Sequence, residues 1–117
     1  MSGDLRARLS DALRPAMRAR DAAAVSALRS ALGAVANAEA VPVSDAPSAG
    51  ALEEARVGVG AADAPRRELT EDDVRRVVHA EVAEREGAAE VLAGHARHDE
   101  AARLRAEAAV LRAHLDA

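Results

Sequence analysis

The chain has 117 residues and a formal net charge of −4, is half apolar, and contains no Phe, Tyr, Trp, Cys, Lys, Gln or Ile. That length holds one domain, two at most. The missing residue types close off thiolate, Schiff-base and tyrosine catalysis, and zero Cys fits a reducing compartment.

The first predicted helix runs from about Asp4 to Ala19. Leu5, Leu9, Ala12, Leu13, Ala16 and Met17 recur at the three- and four-residue spacing of one helical face. Pro15 interrupts the pattern. A proline inside a helix removes an amide donor and clashes with the carbonyl four residues back, at about 3 kcal/mol if unrelieved. A kink around residues 11–15, or a break into two short helices, is the expectation.

The second predicted helix follows Asp21, whose carboxylate suits a cap, and runs to about Ala40. Val25, Leu28, Leu32 and Val35 form its expected buried stripe. Ser26, Ser30, Gly33 and Asn37 form a separate small and polar stripe that faces water or receives a close protein partner. The helix has to end before Pro42, because the residue preceding a proline is pushed out of the α region.

Residues 41–68 change character, with three Pro, three Gly and many small side chains. They read as a long, irregular, mobile loop between the second and third helices, with Val57-Gly58-Val59-Gly60 as a short extended piece. The third helix has the clearest start. Thr70 reads as the cap of Leu69-Thr70-Glu71-Asp72-Asp73-Val74, Asp73 as its acidic partner at the third helical position, and Leu69 and Val74 as a staple. Val77, Val78, Val82, Ala89 and Leu92 continue it to about Gly94. The fourth helix starts near Asp99 and carries Leu104, Ala108, Leu111 and Leu115 on one face. Four amphipathic helices without strand signals predict a single all-α domain built from helical hairpins.

Charge is unevenly spread. Residues 1–30 carry six Arg against three Asp, whereas residues 31–73 carry three Arg against nine acids. Arg6, Arg14, Arg18 and Arg20 make the first segment a candidate anion face. Other charges fall on apolar stripes: Glu39 lines up with Val25, Leu28, Leu32 and Val35, Arg29 lies at that edge, and Glu81 and Arg85 fall with Val74, Val78, Ala88 and Leu92. Half-buried charges cost several kcal/mol unless paired. Some of Arg29, Glu39, Glu81 and Arg85 are therefore predicted to meet in a polar cluster between helices two and three. Such a cluster is either an ion-pair network that fixes helix register or an acid–base site. No nucleophile, phosphate cradle or metal shell accompanies it, so no catalytic residue, metal or cofactor is assigned. His95 and His98 read as solvent-facing residues of a polar turn.

Several runs together resemble one family. They are Pro15-Ala16-Met17-Arg18-Ala19-Arg20-Asp21 and Ala27-Leu28-Arg29-Ser30 with Ala36-Asn37-Ala38-Glu39. The others are the Leu69–Val74 start, Ala80-Glu81-Val82 with Arg85, and Leu104-Arg105-Ala106-Glu107-Ala108 with Leu111. In order and spacing they are similar to the GatB/YqeY-like domain. That domain occurs alone and as the tail of one subunit of the glutamine-dependent aspartyl/glutamyl-tRNA amidotransferase. The chain departs from the family at Pro15, at Leu92, where an aromatic is usual, and at Ala96, where a glycine usually ends the third helix. Longer relatives continue into a second helical subdomain, which is not expected here.

The resemblance implies a helical domain tied to tRNA metabolism. The expected function is a non-catalytic adaptor of tRNA-dependent amidotransferase machinery, acting through protein or tRNA contacts. The alternative is direct tRNA binding through the arginines of the first helix. A free-standing carbon–nitrogen ligase, the family's label, is the least supported reading. No run approaches the roughly 18 apolar residues of a membrane span, and residues 1–6 show no apolar signal core. Cytoplasm is the expected location, and neither DNA nor membrane is an expected partner.

Overall fold

The computed structural model describes residues 4–40 and 67–117. Four helices occupy almost all of them: α1 (Leu5–Arg18), α2 (Ala22–Ala40), α3 (Glu71–Gly94) and α4 (His98–Asp116), with no strand among the described residues. The fold is all-α. The predicted irregular stretch, including residues 57–60, lies outside the described residues from 41 to 66.

The starts of α1, α2 and α3 follow from side chains that satisfy free first-turn amides, whereas α4 begins after Arg97 without a side-chain cap. Asp4 accepts from the Ala7 amide at 2.8 Å and begins α1. Asp21 Oδ1 accepts from the Ala24 amide at 3.1 Å and begins α2. At α3, Thr70 Oγ1 accepts from the Asp73 amide and Asp73 Oδ2 accepts from the Thr70 amide, both at 3.0 Å. This reciprocal capping box holds the Asp73 carboxyl below its ordinary value, chiefly through the bond from the Thr70 backbone. Glu71, the first residue of α3, reaches across and accepts from the Leu5 amide at 3.1 Å, so one helix start helps to cap another.

α1 and α2 run antiparallel, as shown by Arg6 beside Glu39 at one end and Arg29 beside Met17 at the other. α3 and α4 form the second antiparallel hairpin and pack most extensively of any pair. Leu5, Leu9, Leu28, Val35, Val78 and Leu111 are fully buried where the hairpins meet, each worth about 1.5–3 kcal/mol in transfer from water.

Two details differ from the sequence-based expectation. α1 runs through Pro15 as one helix, so the break into two short helices does not occur. Proline sits in the last turn, where its missing amide orphans only the Asp11 carbonyl, and Asp11 is exposed to water. The buried stripe of α2 is Ala24, Ala27, Leu28, Ala31 and Val35, while Val25 and Leu32 are only partly covered. Alanine lets the helices approach closely, so the face rich in Ala turns inward and the bulkier side chains fill its flanks.

Candidate functional site

The turn between α1 and α2 is built by its hydrogen bonds. The Arg20 amide donates to the Met17 carbonyl at 3.1 Å and the Asp21 amide to the Ala16 carbonyl at 3.0 Å. This is the paired pattern of a Schellman helix end. It places Arg20 in the left-handed region, at φ 57°. α3 ends the same way: the Ala96 amide donates to Ala93 at 3.0 Å and the Arg97 amide to Leu92 at 2.9 Å, with Ala96 at φ 62°. Both positions favour glycine and neither has it.

Arg14, Arg18, Arg20 and Arg29 all stand exposed around the first turn. Two open depressions flank Met17. Ser10, Leu13, Arg14 and Arg18 line one, and Arg20, Ala22, Val25, Ser26 and Arg29 line the other. Met17 is itself 47% exposed. Among the described residues none of these four arginines forms an ion pair, and Arg29 donates only to the Met17 sulfur, at 3.8 Å. The nearby acids are Asp21, engaged as a cap, and Asp11. The result is four unneutralised guanidinium groups around one apolar side chain.

Arg6 does not belong to this face. It forms a two-pronged pair with Glu39 at the opposite end of the hairpin, one contact measuring 2.7 Å. The bond to Glu39 holds its guanidinium above the ordinary arginine value. Glu39 is thereby removed from the predicted cluster, and Arg29 is removed because it faces water beside Met17. Glu81 and Arg85 do meet, at 2.9 Å, and their third member is Glu107 of α4, also 2.9 Å from Arg85. The cluster therefore lies mainly between α3 and α4. Helix α2 adds only Ser30, whose hydroxyl donates to Glu81 at 2.8 Å. Burial pushes the Arg85 pKa down as the largest single influence, but bonds to Glu107 and Glu81 outweigh it and the net direction is up. Glu107 carried a usable sequence signal, for it lies three residues after Leu104 and four before Leu111, on the apolar line of α4.

Ser26, Ser30, Gly33 and Asn37 all face outward. A Cβ placed on Gly33 meets nothing within 4 Å, so no helix of the domain approaches closely there. His95 and His98 are exposed at the α3–α4 turn, and the described residues contain no group of three or more His, Asp or Glu side chains placed to hold a metal. At the other end of the bundle, Arg8 donates to the His114 carbonyl at 3.1 Å and Arg75 to the Leu115 carbonyl at 2.8 Å. Two cations thus close the negative end of α4. No helix among the described residues is long and apolar enough to cross a membrane.

No family model, no curated protein and no solved structure matches this chain.

Proposed function

We propose that this chain is a non-catalytic adaptor domain of tRNA-dependent amidation machinery, and that the arginine face at the α1–α2 turn is its contact surface for tRNA phosphates. The observation that carries the reading is the set of four exposed arginines without carboxylate partners, gathered at one turn of a chain with net charge −4. The run Pro15–Asp21, which carries the first part of the resemblance to GatB/YqeY-like domains, is the run that builds this turn. Phosphate contact is chiefly Coulombic and needs no base recognition. The chain has no Phe, Tyr or Trp on which unpaired bases would stack, so contact to the sugar–phosphate backbone is the mode its arginines support best.

The reading is non-catalytic because the buried carboxylates are already engaged. Glu81 accepts from Arg85 and Ser30, and Glu107 accepts from Arg85. Met17 at the centre of the face favours a second reading, docking of a protein partner, because interfaces place apolar side chains and arginine at their centres.

Binding of bulk tRNA across a salt series tests the proposal, with the Arg14→Ala/Arg18→Ala/Arg20→Ala variant alongside. Saturable binding should weaken with salt, and the variant should lower the logarithmic salt slope by about 2–3, at roughly 0.7–0.9 per phosphate contact. Absence of binding at low salt would reject tRNA contact and turn the search to a protein partner.

A further inference from the structure

Phosphate contact leaves the exposure of Met17 unexplained. Met17 and Val91 are the two large apolar side chains exposed among the described residues, at 47% and 61%. Their surroundings carry opposite charge. Around Met17 stand Arg14, Arg18, Arg20 and Arg29. Val91 lies on the outer face of α3, seven residues after Glu84 and next to Glu90, with exposed Gly87 and Ala88 one turn before it. Between Ala80 and Gly94 the single basic side chain of α3 is Arg85, and Arg85 is buried. Glu84 and Glu90, like the four arginines, form no ion pair among the described residues.

We infer that a second copy of this chain covers the arginine face, setting the Val91 side of its α3 against Met17, with Glu84 and Glu90 opposite the arginines. Each apolar side chain then loses water, and Glu84 and Glu90 each meet one of the four arginines, which leaves two arginines over. The two faces differ, so the contact is head-to-tail in kind. One apolar side chain from each copy makes a small core, which places the contact among weak, salt-sensitive associations. Because the same arginines serve the proposed tRNA contact, self-association is also a regulator of it: the two compete. That last point rests on the function proposed above, whereas the association itself does not.

Sedimentation velocity of the full chain over a concentration series at low and high salt tests the association. The expected result is a sedimentation coefficient that rises with concentration at low salt and loses that rise at high salt. Arg14→Glu/Arg18→Glu should abolish the rise, and so should Glu84→Arg/Glu90→Arg. An equimolar mixture of the two variants should restore it, because each reversed face again meets a complement; unfolding of either variant would be seen as lost helical circular dichroism and excluded by that restoration. A wild-type coefficient independent of concentration at low salt overturns the proposal, as does a mixture that stays monomeric. For the competition, Glu84→Arg/Glu90→Arg should bind tRNA as tightly as wild type or tighter. If neither protein binds tRNA while the association behaves as described, the tRNA reading fails and the second-copy contact stands.

Discussion

Arg20 and Ala96 stand where most helix ends of this type have glycine. In the left-handed region the Cβ of an L-residue crowds the following carbonyl, at a cost of roughly 1–2 kcal/mol, while glycine brings a larger entropy loss on folding. Ala96→Gly should therefore stabilise the domain by a net of about 0.5–1 kcal/mol, read as a higher urea midpoint with unchanged slope. An unchanged or lower midpoint would mean that the turn is held without strain. At Arg20 the same substitution separates stability from function. Arg20→Gly should raise the midpoint by a similar amount and weaken the proposed tRNA binding, because it relieves the backbone and deletes one guanidinium of the face. Strain retained at an exposed, charged turn is a mark of function where the strained side chain itself is used. Ala96, at the far turn of the α3–α4 hairpin, has no such charge to offer.

Between elements, burial decides which ion pair matters. Arg85 and Glu107 leave only 10% and 8% of their side chains exposed, against 40% and 22% for Arg6 and Glu39. Removing one partner of a buried pair strands the other charge, at about 3–5 kcal/mol, whereas a partly exposed pair is worth about 0–1 kcal/mol. Arg85→Met should thus lower stability severely and Glu39→Leu only slightly, compared by denaturant unfolding; the reverse order would mean that the α1–α2 pair, not the α3–α4 pair, fixes helix register. Much of this level was legible from the sequence. The starts at Asp21 and Thr70 were, because each side chain acts on an amide three residues away. The Glu81–Arg85 pair was, because its members sit four apart on one helix. Partner choice across helices was not: Glu39 meets Arg6 and Arg85 meets Glu107 only once the hairpins have closed. The rotation of α2 was not legible for a related reason. Side-chain size favours Val25 and Leu32 as core, but Ala24, Ala27 and Ala31 permit the closer approach, and that advantage exists only when a second helix is present.

At the scale of the molecule, arginines at the two ends are used differently. The α1–α2 turn collects unneutralised arginines, while at the opposite end Arg8 and Arg75 cap the last carbonyls of α4 beside His114. Partial burial pushes the His114 pKa below its ordinary value of 6.5, and the Arg8 charge pushes it the same way. The unfolded chain therefore takes up the proton first as pH falls. The stabilisation that follows from a neutral His114 is complete above the unfolded value and is lost as pH drops below it, until the folded site also protonates. Asp73 acts in a separate window. Its carboxyl is held below 3.8, so its contribution persists above that value and disappears only at stronger acidity. Loss of stability as pH falls below 6.5 is accordingly assigned to His114. His114→Gln, neutral throughout, should flatten the urea midpoint as pH falls below 6.5. A wild-type slope retained in His114→Gln would place the acid sensitivity elsewhere and show that Arg8 acts on α4 through its carbonyls alone.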